Sequence, residues 1–109
     1  MPQLTFRGVE DSVVQKASVI LVPKLAELLK CPEDYFTFDN LNITSYFKGE
    51  KVPTYPFVTI GWFERGTDVR DTFAKIVTKA LFELGVPEVE IAFTVYREDS
   101  YYSYGESYE

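Results

Sequence analysis

The chain has 109 residues and no histidine. That absence removes Ser–His–Asp and Cys–His catalysis, imidazole metal ligation and histidine pH switching. One cysteine, Cys31, allows no internal disulfide and no cysteine-cluster zinc or iron–sulfur site. Neither a metal nor a cofactor is expected. Positive charge is also scarce: 11 Lys and Arg stand against 17 Asp and Glu, for a net charge of −6. That balance argues against a nucleic-acid partner and against an anionic membrane surface. No apolar run approaches the ~18 residues needed to span a bilayer. The start, Met1-Pro2-Gln3-Leu4, lacks the charged and apolar regions of a signal peptide. A lone cysteine fits a reducing compartment, so a cytoplasmic location is expected. A general base near neutral pH must then be a shifted carboxylate, a shifted lysine or a terminal amine.

What is abundant is aromatic. Nine Phe and eight Tyr contribute to an aromatic content of 17%, enough to fill a core or cover a subunit interface. The length predicts one domain, residues 1–109, with room for a core that needs no staples.

Residues 2–6 alternate, with Leu4 and Phe6 on one face and Gln3 and Thr5 on the other, which predicts a strand. Glu10, Asp11 and Ser12 then offer helix-start acids and a cap. Val14, Ala17, Leu21, Leu25 and Leu28 recur as one helical stripe, with Pro23 expected to kink it and Cys31-Pro32 to end it. Tyr35 to Phe47 reads as a long β-prone run. Its parity slips between Phe38 and Leu41, which predicts a bulge or burial on both faces. Lys48-Gly49-Glu50-Lys51 is a turn. Phe57 to Phe63 is a strand with apolar residues on both faces. After Arg65-Gly66, a second stripe runs through Val69, Phe73, Ile76, Val77, Ala80 and Leu84. Gly85 suits a left-handed cap, with Pro87 beyond it. Val89, Ile91, Phe93 and Val95 alternate as a last strand, and a tail of residues 98–109 holds four Tyr.

The order repeats. Pro2-Gln-Leu-Thr-Phe matches Pro56-Phe-Val-Thr-Ile, Arg7-Gly8 matches Arg65-Gly66, and Cys31-Pro32-Glu33 matches Val86-Pro87-Glu88. Two βαβ units, about 2–47 and 56–97, predict an α+β fold. Right-handed crossovers place both helices on one face of a four-stranded mixed sheet. The apolar character of both faces of the Phe57–Phe63 strand predicts that other subunits cover the opposite face, as in a homotrimer of closed symmetry.

These features resemble the tautomerase superfamily, which includes 4-oxalocrotonate tautomerase and macrophage migration inhibitory factor. The resemblance rests on Met1-Pro2 opening into a strand, on the repeated βαβ units and on Pro56 heading the second unit. Phe6-Arg7-Gly8, Tyr55-Pro56-Phe57-Val58, Trp62-Phe63-Glu64-Arg65-Gly66 and Tyr101-Tyr102 before Gly105-Glu106 bring it nearest to a bacterial family within that superfamily that has no established activity. The resemblance implies a trimer with pockets near Pro2. It implies that Met1 is removed and that the Pro2 nitrogen acts as base on a small carbonyl or 2-oxo acid. It also implies Arg65 as the cation that holds the ligand carboxylate, with Arg7 as its first-repeat counterpart. Lys30 lies one residue from a pocket lysine of the cytokine-like members, where this chain has Cys31. Tyr101 and Tyr102 are candidate pocket-mouth residues.

Blander readings stand beside these. Cys31 suits a small buried filler, and Trp62 and Phe63 suit a core or an interface. The neighbouring acids Glu33-Asp34 and Glu98-Asp99 point to opposite sides of an extended chain, so neither pair makes an acid–base couple. The tyrosine tail is expected to pack on a neighbouring subunit. The alternative to an enzyme is a non-catalytic oligomer that binds a small ligand or a protein. Retention of Met1 would turn Pro2 into an amide and favour that alternative.

Overall fold

Strand β1, Gln3–Arg7, forms where the alternation predicts it, and Leu4 and Phe6 are fully buried. The computed structural model describes residues 2–109; the fate of Met1 lies outside the described residues. Helix α1 spans Asp11–Leu29 and buries Val14, Ala17, Leu21, Leu25, Ala26 and Leu29. Leu28, expected on the core stripe, is only half-buried. Glu10 makes no side-chain cap bond; its carbonyl instead accepts from Val13 and Val14. The acids therefore act by charge on the helix end rather than as a cap. The helix continues through Pro23. The proline removes the bond to the Val19 carbonyl, and Val19 is 74% exposed, so water can satisfy that group.

Both helices end alike. Cys31 N–H donates to the Ala26 carbonyl and Lys30 N–H to the Glu27 carbonyl, with Lys30 in the left-handed region (φ 55°). Helix α2, Thr67–Glu83, closes with Val86 N–H on Leu81 and Gly85 N–H on Phe82. Each is the paired C-terminal bonding of a Schellman motif. Helix α2 buries Phe73, Val77, Ala80 and Leu81, so its stripe turns onto Leu81 and leaves Leu84 half-buried.

The expected bulge is a correction. A one-turn 3₁₀ segment, Glu33–Tyr35, leads into β2, Thr37–Leu41, and the chain then leaves the sheet. Ser45–Phe47 (β3) and Glu50–Val52 (β4) make a separate antiparallel hairpin. Its two-residue turn has Lys48 and Gly49 at φ 49° and 84°, the positive pair that a tight hairpin with native twist requires. The parity slip therefore marks an exit from the sheet. Strand β5, Phe57–Trp62, and strand β6, Glu90–Val95, complete the main elements. Sheet order is β2-β1-β5-β6, with parallel outer pairs and an antiparallel central pair. The repeat is visible in its bonding: Thr37 N–H donates to the Pro2 carbonyl and Glu90 N–H to the Pro56 carbonyl, both at 3.2 Å.

The helices cover one face of the sheet. Leu4, Phe6, Val58, Ile60 and Trp62 are fully buried there against Leu21, Leu25, Phe73, Val77 and Leu81. Each such side chain contributes roughly 1.5–3 kcal/mol of hydrophobic stabilisation. The opposite face corrects the two-sided apolar reading. By register it carries Gln3, Thr5, Arg7, Thr37, Asp39, Thr59, Gly61, Glu90 and Thr94, with Phe57, Leu41 and Ala92 as its apolar members. It is largely polar, and no helix covers it.

The tail also differs from expectation. After a 3₁₀ turn at Glu98–Ser100, Tyr102–Ser103 (β7) and Glu106–Ser107 (β8) form a second hairpin with Tyr104-Gly105 at its turn. Tyr101 and Tyr108 pack on Phe63 of the same chain rather than waiting for a neighbour, with ring centroids at 5.0 and 5.5 Å.

Candidate functional site

Pro2 heads β1, an inner strand, where its missing N–H disturbs no ladder bond. The ring is fully buried. Continuing the antiparallel register one step past the Gln3–Gly61 pair sets Pro2 across from Trp62 at the end of β5. Trp62 is fully buried between Phe73 and Phe93, at centroid distances of 5.7 and 4.9 Å. Its indole Nε1 is buried and has no hydrogen-bond partner among the described residues.

The chain leaves β5 through Phe63, Glu64, Arg65 and Gly66. The Arg65 guanidinium carbon lies 5.6 Å from the Trp62 ring centroid, and its Nη1 donates to the Phe63 carbonyl at 2.9 Å. The two ion pairs among the described residues are Glu64–Arg70 and Arg97–Asp99, so no carboxylate neutralises Arg65. A guanidinium placed over an indole, with further N–H groups unassigned, is suited to planar carboxylate recognition.

Cys31, just past α1, lies within the field of Arg65. Burial pushes its thiol up, while the guanidinium pulls the other way. Burial is the larger effect, so the thiol stays protonated near neutrality and is a poor nucleophile. That fits the filler reading.

Behind this end, Tyr96 crosses the uncovered sheet face. Its hydroxyl donates to Gln3 Oε1 at 2.7 Å, and its ring passes over Gly61. Tyr96 and Tyr101 also pack on Phe63, at centroid distances of 6.1 and 5.0 Å. Burial raises the Tyr96 phenol, and the neighbouring Tyr101 adds to the shift.

The structure thus gathers Pro2 and Arg65 around Trp62, with Tyr101 joined to them through Phe63. It leaves out three candidates within the chain. Arg7 is exposed at the far end of β1, roughly 16 Å from Pro2 at strand rise. Lys30 is an exposed C-terminal helix residue. Tyr102 is 62% exposed, on the side of its hairpin away from Phe63. Sequence reasoning missed Tyr96 and Gln3, and it set Glu64 beside Arg65 as a carboxylate partner, whereas Glu64 pairs with Arg70. Gly61 inside an apolar strand was the available signal, because such a glycine marks close approach by another group.

The chain matches a family described as a domain of unknown function, DUF1904, over residues 1–107. A solved structure of a DUF1904 domain from Sebaldella termitidis is 30% identical, with a TM-score of 0.90 over 98% of this chain and 99% of that one. A macrophage migration inhibitory factor-like protein from Entamoeba histolytica is 13% identical, with a TM-score of 0.69 over 97% of each chain. A wild-type fused 4-OT, an asymmetric trimer, is 8% identical, with a TM-score of 0.77 over 97% of this chain and 95% of that one. No curated protein matches. The fold is that of the tautomerase and macrophage migration inhibitory factor-like proteins, as the repeat implied.

Proposed function

The chain belongs to the DUF1904 family, and we propose that it moves a proton on a small carbonyl compound or 2-oxo acid from the end of the sheet where Pro2 and Arg65 meet. The observation that carries this reading is Arg65, unpaired with any carboxylate and laid over the indole that stands across from Pro2.

Removal of Met1 would give Pro2 a secondary amine. A chain-terminal amine titrates near ~7.7–8 and is poised to act at neutral pH. It takes a proton from the carbon next to the carbonyl, and the electron pair moves onto the carbonyl oxygen as an enolate. Arg65 holds the carboxylate and offsets the developing charge. The same amine then returns the proton to a distal position. The step needs no cofactor.

The reading includes a homotrimer. The uncovered sheet face, the open outer edges of β2 and β6, and exposed Tyr46 and Phe47 on the first hairpin support it. Similarity to the fused 4-OT trimer points the same way. A monomer mass by light scattering at micromolar concentration would remove it.

A second reading, a non-catalytic binding protein on this scaffold, is favoured by the complete burial of Pro2. The intact mass of protein from its native host decides first, because retained Met1 sinks the prolyl base. With Met1 absent, phenylpyruvate and a 2-hydroxydienoate are assayed with wild type and Pro2→Ala. The base reading expects a loss of about 10²–10⁴ in rate; equal rates refute it.

A further inference from the structure

Arg65 follows directly on an acidic residue, yet the two do not pair. Both oxygens of Glu64 are engaged elsewhere. Oε1 accepts the backbone N–H groups of Arg65 and Gly66, each at 3.2 Å. Oε2 accepts Arg70 Nη1 at 2.9 Å, and Arg70 Nη2 reaches Thr67 Oγ1 at 3.4 Å. Arg70 stands on the first turn of α2, so the helix itself fixes it beside the loop. Without Arg70, the nearest cation to the freed Glu64 oxygen along the chain is the Arg65 side chain.

We propose that Arg70 is a positioning residue that occupies Glu64 and so keeps the Arg65 guanidinium available to an anionic ligand. This rests on the reading of Arg65 as the carboxylate anchor. Arg70 touches no ligand. It acts by removing an intramolecular competitor, the neighbouring carboxylate, that would otherwise have to be displaced before each binding event.

The single tryptophan of the chain lies beneath Arg65, so its fluorescence reports the site directly. Malonate, a transparent carboxylate probe, is titrated into the full-length protein at low salt, with wild type, Arg65→Ala, Arg70→Ala, Arg70→Lys and the double variant Glu64→Gln/Arg70→Ala. Wild type should saturate and Arg65→Ala should not. Arg70→Ala should bind about two- to fivefold more weakly, the range set by one partly exposed ion pair. Arg70→Lys should recover part of the loss. The double variant should recover nearly all of it, because glutamine keeps the backbone contacts but no longer attracts Arg65. Equal binding by Arg65→Ala and wild type would remove the anchor reading and this proposal with it. Loss in Arg65→Ala with no change in Arg70→Ala would overturn the proposal alone. Weak binding in the double variant would also overturn it, since Arg70 would then be merely structural.

Discussion

Gly61→Ala should destabilise this protein although the backbone at that position is ordinary strand. A Cβ there would stand 1.9 Å from the Tyr96 hydroxyl, 2.5 Å from its Cζ and 3.0 Å from Cε2. Nothing but movement of the ring relieves that. Moving the ring breaks its 2.7 Å bond to Gln3 and disturbs its packing on Phe63 and Tyr101. Overpacking of a filled site costs about 1–3 kcal/mol. A lost hydrogen bond costs about 0.5–1.5 kcal/mol. Alanine returns roughly 0.5–1 kcal/mol over glycine through the unfolded chain. The net expectation is a loss of about 2 kcal/mol. In a Tyr96→Ala background the same substitution meets no ring and should be neutral or stabilising by up to ~1 kcal/mol. Urea denaturation of the four proteins, at one protein concentration, closes the cycle. The expected coupling is about 2–3 kcal/mol, at the upper end for contacting residues. Additivity within ~0.5 kcal/mol would refute the claim that Tyr96 fills the space over Gly61.

Two further expectations concern single groups. Tyr96 has its phenol raised by burial and by Tyr101, so its proton is held more tightly folded than unfolded. Its contribution to stability is then complete below the ordinary tyrosine value near ~10 and is lost as pH rises through the folded value. A near-ultraviolet titration should show Tyr96 among the last tyrosines to ionise, and Tyr96→Phe should delete that late component; an unchanged late phase would contradict the assignment. Lys30, in the left-handed region at φ 55° where the second repeat has Gly85, should stabilise the fold by about 1 kcal/mol when changed to Gly. That corresponds to a rise of roughly 4–8 °C in Tm by calorimetry, and a fall would show that the Lys30 side chain has a compensating contact.

Much of the fold was legible because the signals were local and repeated. Leu4 and Phe6 alternate, Val14 to Leu25 keep helical spacing, and the same Pro, Arg-Gly and Pro-Glu marks return in order. The turn at Lys48–Lys51 was legible, but the strands of the two hairpins were not, although their signal is present. Tyr46-Phe-Lys-Gly-Glu50 returns as Tyr102-Ser-Tyr-Gly-Glu106, and both segments turn at the Xaa-Gly pair. β-propensity runs unbroken from Tyr35 to Phe47, so that stretch reads as one element. Pro2 and Arg65 were legible through the resemblance. The contacts of Glu64 and Tyr96 were not, because each depends on where a side chain turns after its strand ends, which periodicity does not encode.

The repeat builds two ends of the sheet alike, and they are not equivalent for the proposed chemistry. The two ends are built alike: Pro2 and Pro56 head adjacent inner strands, and Arg7-Gly8 and Arg65-Gly66 each precede a helix. They differ in what fills them. A Cβ on Gly8 would meet the Thr54 carbonyl oxygen at 2.5 Å and the Tyr55 backbone at 2.7 Å, whereas one on Gly66 would meet nothing within 4 Å. In the first unit, then, the returning chain from the hairpin is packed hard against the Arg-Gly loop, and Arg7 is left outside at the strand end. In the second unit the corresponding loop faces open space, and its arginine folds back over Trp62. Pro56 is an internal amide at any stage of processing, while the role proposed for Pro2 requires removal of Met1. The two ends therefore differ in chemistry rather than in access: a cavity of about 350 Å³ beside Gly8, Glu10 and Pro56 lies at the first, whose proline stays an amide, while the second carries Arg65 over Trp62 and the proline of the proposed base.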